Sequence, residues 1–361
     1  SNTQADEYNV IVDALFGVGL SRPVEGIYAE AVEEMNVAEG FKLALDVPSG
    51  ICSDTGRVLG CAFLADATIT FGFCKRGLVM YPGTDYAGQV HIANVGIGPE
   101  SFLGQSPEMY TYDSCEQHLP DRTSSGNKGT FGKALLVSGS NGMAGAAILA
   151  ARAAYRTGAG MVRIFTPEAN RVILQTLLPE AIMTTYEDRD SMLEQLTESF
   201  SWADTVAIGP GLGKSDNSAV LLEQVMKKWN HPMVVDADGL NLLAERMELL
   251  EQHEGPLIVT PHVGEFSRLT GLTRKEISEN IPGQAQAFAK TYHCICVLKD
   301  APSAIGDPDR VTVNTTGNNG MSTAGSGDVL TGIIAGLLGQ RMDAEDAARL
   351  GVWLHGRAGD L

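Results

Sequence analysis

Positive charge is scarce in this sequence. Its 361 residues include 26 lysines and arginines against 44 aspartates and glutamates, which gives a formal net charge of −18. A nucleic-acid-binding surface needs clustered positive charge, and no basic tract is present, so we expect no nucleic-acid partner. Free nucleotides stay compatible with this charge, because backbone N–H groups and a single lysine are enough to hold phosphates.

Paired cysteines and long apolar runs are missing as well. The closest two of the six cysteines, Cys294 and Cys296, share one face of a strand-like run, and no second Cys or His pair completes a zinc site. We therefore expect reduced, buried thiols and a cytoplasmic protein. No apolar run reaches the roughly 20 residues that a membrane span needs, and no signal peptide is visible, so no membrane association is expected.

What the chain does contain is an alternation of short apolar strands and helical stretches. This pattern predicts α/β domains with parallel sheets and with ligand sites at the carboxyl ends of the strands. The length of 361 residues is sufficient for two such domains. Residues 98–122 are less periodic and contain three prolines. We predict a first domain at 1–105, a linker at 106–122 and a second domain at 123–361.

The most informative stretch is a glycine-rich turn between a predicted strand, Asp309–Asn314, and a predicted helix, Val329–Leu338. The turn contains Gly317, Gly320, Gly325 and Gly327. Glycines let the backbone turn sharply and approach a ligand closely. A helix that begins directly after such a turn offers unpaired N–H groups and the positive end of its dipole, so the turn predicts an anion site.

One carboxylate, Asp328, falls within this predicted anion site. A carboxylate beside a phosphate is unfavourable unless it has a task, such as accepting a proton from a substrate hydroxyl. The alternative is that Asp328 only caps the helix. The residues around it do not decide between the two.

Other polar residues follow predicted strands in both halves of the chain. In the first half, Asp13, the Gly17–Pro23 loop, Asp46 and Ser49 fall at strand ends and predict a small-molecule site. In the second half, the strand-end residues are Asp236, Asp238, His262, Glu265 and Lys299. Lys299 is either a phosphate contact or a solvated lysine, and His262 either a turn residue or a ligand contact. Asp236 and Asp238 could be caps or could hold Mg²⁺ waters. His293 and His355, which have no partner nearby in sequence, are interpreted as structural.

The second half resembles the ADP/ATP-dependent NAD(P)H-hydrate dehydratases, members of the ribokinase-like superfamily. Five motifs carry the resemblance, in the order in which that family has them: Gly139-Ser-Asn-Gly-Met-Ala-Gly-Ala146, Gly209-Pro-Gly-Leu-Gly213, Val235-Asp-Ala-Asp-Gly-Leu-Asn241, Thr260-Pro-His-Val-Gly-Glu265 and Asn318-Asn-Gly-Met-Ser-Thr-Ala-Gly-Ser-Gly-Asp328. Their order across about 200 residues is far more specific than any single motif.

The first half looks like the partner NAD(P)H-hydrate epimerase, through Asp13, Gly17–Pro23 and Asp46-Val-Pro-Ser49. Bifunctional proteins join the two activities in this order, so the resemblance covers essentially the whole chain. It implies an α/β fold, with a ribokinase-like three-layer domain preceded by part of a Rossmann-like α/β domain.

The resemblance also implies the chemistry of the second half. Its substrate would be hydrated NADH or NADPH, which carries a hydroxyl at C6 of the nicotinamide ring. The terminal phosphate of ADP or ATP would pass to that hydroxyl, after which phosphate leaves and the double bond returns. Asp328 would be the base for the hydroxyl proton, and the Gly325–Gly327 backbone would stabilise charge on the transferring phosphoryl group.

The resemblance assigns binding residues as well. The nucleotide would be bound by Lys299, Asp300, Ala301, Pro302 and Ser303, together with Gly325 and Gly327. The hydrated dinucleotide would be held by Ala146, Gly213, His262 and Asp328, and Glu265 would lie near Mg²⁺.

In the first half, by resemblance, Asp13 and Ser49 match potassium positions. The substrate of the epimerase would be bound by Gly17, Val18, Gly19, Leu20, Ser21, Arg22, Pro23 and Asp46. The family has a further phosphate loop upstream, and this chain starts after that point and stops within a helical pattern. We therefore expect that both ends lack material and that the chain is a competent dehydratase but a deficient epimerase.

Two alternatives remain for the function. One is a small-molecule kinase of the same superfamily, acting on a vitamin precursor such as a pyrimidine or thiazole alcohol. The other is a non-catalytic nucleotide-sensing module. Relatives of the ribokinase type often assemble, so a homo-oligomer is expected on resemblance alone.

Overall fold

The computed structural model describes residues 8–104, 109–112 and 119–361. By its internal contacts the chain divides into two compact units, Ser1–Glu108 and Met109–Leu361. Most of the predicted linker, 106–108 and 113–118, lies outside the described residues. Within the same predicted linker, Tyr110–Thr111 form a short strand that belongs to the sheet of the second unit.

The first unit contains a parallel sheet with its strands in chain order. The strands are β1 (Val10–Asp13), β2 (Phe41–Leu45), β3 (Ala67–Phe71) and β4 (Gln89–Ala93), and the helices are α1 (Ile27–Val37), α2 (Arg76–Val79) and α3 (Gly83–Ala87). Each neighbouring pair of strands is parallel. The strand-end residues Asp13 and Asp46 therefore lie at one edge of one sheet, as the alternation of strands and helices predicted.

The second unit has a larger sheet. In its described part, the strands are β5 (Tyr110–Thr111), β6 (Lys133–Val137), β7 (Met161–Pro167), β8 (Ile182–Tyr186), β9 (Thr205–Ile208), β10 (Met233–Val235), β11 (Leu257–Val259), β12 (Ile295–Leu298), β13 (Ala304–Gly306) and β14 (Val311–Val313). They lie in the order β5-β14-β13-β12-β11-β10-β9-β6-β7-β8. All pairs are parallel except β12–β13 and β13–β14, which are antiparallel.

Helices connect these strands. They are α4 (Ala144–Thr157), α5 (Arg171–Leu177), α6 (Arg189–Trp202), α7 (Asp216–Lys228), α8 (Asp238–Leu243), α9 (Glu248–Glu251), α10 (Val263–Thr270), α11 (Arg274–Glu279), α12 (Ile281–Tyr292), α13 (Ser326–Gly339) and α14 (Ala344–Gly359). None of the helices in the described ranges is long and apolar enough to cross a membrane.

The central strands are buried on both faces. Leu136, Ala207 and Val234 belong to the core formed with α4, α13 and α14, and their strand neighbours Leu135 and Val206 are buried as well. Consecutive strand residues point to opposite faces, so apolar groups cover the sheet on each side. This arrangement agrees with the predicted three-layer fold.

Two helices of this core approach each other closely. Helix α4 is rich in alanine, and α13 carries glycine at positions that face it. A Cβ atom added at Gly332 would lie 2.1 Å from the carbonyl oxygen of Ala150. The small residues of both helices are therefore required by the packing, and this packing fixes α13 against the sheet.

The start of α13 differs from the prediction. The sequence pattern predicts a helix from Val329, whereas the helix begins at Ser326, with Gly325 as its N-cap residue. Gly325 has φ 90°, in the left-handed region that glycine tolerates. The glycine-rich turn ends at Gly325. The residues Gly327 and Asp328 therefore lie in the first turn of the helix.

Candidate active site

Polar residues follow three adjacent strands of the large sheet. Asp236 follows β10, His262 comes shortly after β11, and Lys299 follows β12. The Lys299 N–H donates to the carbonyl oxygen of Pro261 at 2.8 Å, which extends the pairing of β11 and β12 beyond their regular ends. These side chains therefore meet at the edge that the sequence predicted as a ligand site.

Asp236 and Lys299 form a buried ion pair beneath the first turn of α13. Lys299 Nζ lies 2.8 Å from Asp236 Oδ1, and Thr331 Oγ1 donates to Asp236 Oδ2 at 2.7 Å. Burial alone would raise the pKa of Asp236, but the charge and hydrogen bond of Lys299 and the bond from Thr331 lower it below its usual value. Asp236 is therefore an anion that holds Lys299 in place.

Lys299 also faces the glycine-rich turn. A Cβ atom added at Gly327 would lie 3.4 Å from Lys299 Nζ and 3.6 Å from Asp236 Oδ2. No hydrogen bond of the Gly327 or Asp328 N–H group is found in the described part of the chain. The ammonium group, these two N–H groups and the positive end of the helix dipole are therefore close together, which is the arrangement that an anion site requires.

Asp328 is not the cap of α13. It lies at the third helical position, the helix has no side-chain cap, and among the described residues Asp328 has neither a hydrogen bond nor an ion pair. Burial and the negative charges of Asp236 and Asp238 raise the pKa of Asp328 to about 6, although Lys299 opposes the shift. A half-buried carboxylate with this pKa suits a general base.

His262 and Glu265 have a structural role that the sequence left open. His262 Nδ1 accepts hydrogen bonds from the Gly264 and Glu265 N–H groups, and the Glu265 carboxylate accepts one from the His262 N–H, which forms a capping box on α10. Partial burial and the charge of Lys299 lower the pKa of His262, so the ring is neutral with its proton on Nε2. The side chain is 53% exposed, and its Nε2 atom lies 3.5 Å from Glu265 Oε1.

Glu265 is buried, and burial raises its pKa. Within the described ranges there is no group of three or more His, Cys, Asp or Glu residues that could hold a metal ion. A magnesium ion usually takes one or two carboxylates and completes its shell with water and nucleotide phosphates. A single carboxylate such as Glu265 fits that pattern.

Two of the predicted dinucleotide residues, Ala146 and Gly213, belong to segments that pack against each other. Asp238 Oδ2 accepts a hydrogen bond from the Gly213 N–H at 2.8 Å. A Cβ atom at Gly211 would lie 2.9 Å from the Cβ atom of Ala146, so the Gly209–Gly213 loop packs against the first turn of α4. Ala146 and Gly213 thus lie at one surface, and an aspartate orients the loop between them.

The segment Lys299–Ser303 is the turn that joins β12 to β13. Ser303 Oγ donates to the Asp300 carbonyl oxygen at 3.2 Å, and the Asn314 N–H donates to the Ser303 carbonyl oxygen at 2.9 Å. Asp300 and Ala301 are exposed, Pro302 and Ser303 are half-buried, and the Ala301–Pro302 peptide bond is cis. This turn therefore ties the predicted nucleotide segment to the strand that leads into the glycine-rich turn.

In the first unit, Asp13 and Ser49 contact each other directly. Ser49 donates to Asp13 from its N–H and from its hydroxyl group, both at 2.7 Å, and Phe16 N–H donates to Ser49 Oγ at 2.9 Å. The Asp13 side chain is buried. The two predicted potassium residues are therefore brought together, with the Ser49 hydroxyl proton directed at the Asp13 carboxylate.

Asp46 is paired with a lysine that the sequence analysis did not select. Lys75 Nζ lies 2.6 Å from Asp46 Oδ1, and burial of Asp46 is outweighed by this contact, so the pKa of Asp46 is lowered. The Val18 backbone also hydrogen-bonds to Asp46, and Gly17 packs against it. The loop that runs on through Gly19–Pro23 is mostly exposed.

Comparison with known proteins agrees with this geometry. The family model described as NAD(P)H-hydrate dehydratase matches residues 134–361, and the model described as YjeF-related protein N-terminus matches residues 1–77. A bifunctional NAD(P)H-hydrate repair enzyme of Moorella thermoacetica is 40% identical, with 98% of this chain and 68% of the relative covered. The corresponding enzyme of Escherichia coli is 36% identical, with 99% and 68% covered.

Solved structures show the same likeness for the larger part of the chain. The ADP/ATP-dependent NAD(P)H-hydrate dehydratase of Bacillus subtilis, co-crystallized with ATP and Mg²⁺, is 32% identical with a TM-score of 0.57, and the match covers 66% of this chain and 83% of the Bacillus subtilis chain. A ribokinase-like superfamily protein of Enterococcus faecalis is 28% identical with a TM-score of 0.63, at 71% and 89% coverage. With both family models and relatives matched along nearly its whole length, the chain belongs to the family of bifunctional NAD(P)H-hydrate repair enzymes.

Proposed function

We propose that the second unit dehydrates the S epimer of hydrated NADH or NADPH to NADH or NADPH and uses ADP or ATP as the phosphoryl donor. Asp328 is the observation that carries this proposal. It is an unpaired, half-buried carboxylate inside an anion site, with its pKa raised to about 6. A site that only bound phosphate would be weakened by such a group, whereas a site that deprotonates an alcohol needs it.

In this reaction Asp328 accepts the proton of the C6 hydroxyl group as the C6 oxygen attacks the terminal phosphoryl group of the nucleotide. The N–H groups of Gly327 and Asp328 and the ammonium of Lys299 stabilise the charge on the phosphoryl oxygens. The bond to the remaining nucleotide breaks and AMP or ADP is released. Phosphate then leaves C6 with the C–O bond electrons, the neighbouring ring carbon loses a proton to water, and the double bond is restored. Asp236 accepts a hydrogen bond from Lys299 Nζ and so holds the ammonium group beside the turn.

The remaining predicted residues take binding roles in this proposal. The nucleotide lies along Lys299–Ser303, Gly325 and Gly327, and the hydrated dinucleotide lies against Ala146 and Gly213. His262 donates from Nε2 to the dinucleotide, because its Nδ1 is already used by the capping box. Bound Mg²⁺, near Glu265, would neutralise charge on the nucleotide phosphates.

For the first unit we propose an epimerase-related substrate site formed by Asp46 and the Gly17–Pro23 loop, with K⁺ held by Asp13 and Ser49. Each oxygen of Asp13 already accepts a hydrogen bond from Ser49, so other oxygens must complete the potassium shell. The expected deficiency in epimerase activity, a homo-oligomeric state and a cytoplasmic location stay predictions.

The test is the absorbance at 340 nm of hydrated NADH mixed with this chain, Mg²⁺ and ADP, together with an assay of released phosphate. We expect a nucleotide-dependent rise, with kcat lowered by about 10²- to 10⁴-fold in Asp328→Asn. Asp216→Asn is the matched control, because Asp216 is an exposed acid in the first turn of another helix, α7.

Three outcomes separate the candidate functions. A rise with one phosphate released per NADH formed supports the dehydratase. No rise, with phosphate transferred to a pyrimidine or thiazole alcohol that then accumulates as the phosphate ester, would assign the kinase. Nucleotide binding without turnover of any alcohol, unchanged in Asp328→Asn, would assign the sensing module.

A further inference from the structure

A histidine of the last helix contacts the glycine-rich turn. His355 lies in α14, and its Nε2 atom is 3.2 Å from the hydroxyl oxygen of Ser326. Ser326 is the first residue of α13 and lies between Gly325 and Gly327. In the described part of the chain, His355 is the side-chain partner found for the Ser326 hydroxyl group. Its 29-residue separation from Ser326 hid this contact from the sequence analysis.

The residues next to Ser326 provide few contacts that restrain the backbone of the turn. Glycines on both sides have no side chains, and the Ser326 N–H makes only a 3.3 Å bond to the Thr323 carbonyl oxygen. Glycine allows many backbone conformations, so the direction of the following N–H groups depends on restraints from elsewhere. The His355 contact supplies such a restraint one residue before Gly327.

The helix that carries His355 is anchored to the same loop on its other side. Thr316 Oγ1 donates to the Trp353 carbonyl oxygen at 3.1 Å, and Asn318 Nδ2 donates to the Gly359 carbonyl oxygen at 2.7 Å. The Gly317 N–H donates to Asp360 Oδ2 at 3.1 Å. His355 is therefore presented from a fixed element, which is what precise positioning of a reacting group requires.

We propose that His355 is a positioning residue for phosphoryl transfer, which through Ser326 aims the Gly327 and Asp328 N–H groups at the transferring phosphoryl group. The inference rests on the proposed function and names a residue outside its binding and catalytic set. In this proposal His355 acts through its contact with Ser326. Its effect belongs to the transition state, where small misplacements of N–H donors are costly.

The test compares kcat, KM for hydrated NADH and the dissociation constant of ADP in four variants. His355→Phe keeps the ring and removes the hydrogen bond, and we expect kcat to fall roughly 10-fold or more, with KM and ADP binding within about 2-fold of wild type. His355→Gln can still reach Ser326 with its amide group and should retain most of kcat. Ser326→Ala should lower kcat by the same factor as His355→Phe. The double variant should have a kcat no lower than that of either single variant.

Asp343→Ala is the control, because it removes the N-terminal cap of α14, a bond from the Glu345 N–H at the end of that helix away from His355. It should lower the melting temperature and leave kcat unchanged. The inference is overturned if His355→Phe keeps wild-type kcat, if its effect multiplies with that of Ser326→Ala, or if Asp343→Ala lowers kcat equally. If His355→Phe does not fold, Ser326→Ala decides alone, and a wild-type kcat there overturns the inference.

A wild-type chain that does not turn over hydrated NADH would remove the proposed function, and this inference with it. That result differs from an active wild type with an equally active His355→Phe variant, which removes the positioning role only.

Discussion

The protonation state of Asp328 should control the rate. Its pKa is raised to about 6, first by burial and then by Asp236 and Asp238. A general base works only when it is deprotonated, so kcat/KM should rise about tenfold per pH unit below pH 6 and become flat above about pH 7. Initial rates on hydrated NADH between pH 5 and 8 measure this. A flat profile across that range, or one that falls with pH, would contradict the role of Asp328 as base.

The same residue should cost the protein stability. Because the folded-state pKa of Asp328 lies above its unfolded value of 3.8, the folded state binds more protons between these values, and stability falls as pH rises through that window. Above pH 6 the full cost is present. Asp328→Asn should therefore raise the free energy of unfolding by about 1 kcal/mol at pH 8, after allowance for the exposed part of the carboxylate.

Urea unfolding of wild type and Asp328→Asn at pH 8 and pH 4 would measure this difference. At pH 4 most of the gain should disappear, because the folded wild-type carboxyl group is then protonated as well. An equal gain at both pH values would show that the substitution acts through packing rather than charge. Loss of activity together with a gain of stability is expected where a site is strained for function.

At the scale of elements, the crossing of α4 and α13 determines where the active-site turn lies. Gly332 of α13 faces the backbone of α4, and a Cβ atom there would lie 2.1 Å from the Ala150 carbonyl oxygen. Gly332→Ala should therefore lower the free energy of unfolding by about 2 kcal/mol by overpacking. In a freely exposed helix the same substitution would stabilise, so the sign of the change tests the close approach.

Gly145→Ala is the matched control in the partner helix. Gly145 is a helical glycine of α4 with no atom within 4 Å of an added Cβ, and its substitution should stabilise by about 0.5 kcal/mol. Thermal or urea unfolding of both variants gives the comparison. If Gly332→Ala and Gly145→Ala changed the free energy of unfolding equally, the helices α4 and α13 would not pack as closely as described.

Elements with strong periodicity were predictable from the sequence. The strand predicted at Asp309–Asn314 is observed as Val311–Val313, within two residues at each end, because alternating apolar residues mark strands locally. The start of α13 was missed by three residues, since Ser326, Gly327 and Asp328 have low helix propensity and are helical because the turn at Gly325 places them so. The strand β5 was missed inside the predicted linker, because a two-residue strand exists only through its pairing with β14.

In the candidate site as well, local motifs were predictable from the sequence and contacts between distant residues were not. Asp328 and Lys299 were selected from local motifs, but the pairing of Lys299 with Asp236 spans 63 residues and leaves no trace in spacing. His262 was expected either in a turn or at a ligand, and the capping box shows that the first role is present without removing the second. Contacts between residues that are far apart in the sequence, such as that of Lys75 with Asp46, can be identified only from the fold.

At the scale of the whole molecule, each unit has its own apolar core. The described core of the first unit is made of residues such as Val32 and Phe63, and that of the second of residues such as Ile164 and Ile334. Cys294 and Cys296 are free, buried thiols, as the sequence predicted, and burial raises the pKa of Cys294 to about 12 and raises the pKa of Cys296 well above its usual value. The two family matches, at 1–77 and 134–361, fall one in each unit.

The net negative charge of the whole chain repels its proposed substrates. The protein carries −18, and ADP and hydrated NADH are both anions, so long-range repulsion should slow their encounter. The Debye length shrinks from about 30 Å at 0.01 M salt to about 8 Å at 0.15 M. We therefore expect kcat/KM for ADP to rise about two- to fivefold over this range in sodium chloride, which avoids filling the proposed potassium site.

Positive charges close to the site act against the net negative charge of the chain. Lys299, Arg268 and Arg274 each lower the pKa of His262 by their charge, so cations face the site against the field of the whole chain. If this local field governs association, kcat/KM will fall as salt rises, because screening would weaken the attraction. Measuring kcat at saturating substrate provides the internal control, since it does not depend on encounter. The sign of the salt effect therefore decides whether the molecule as a whole or its cationic site determines how fast substrates arrive.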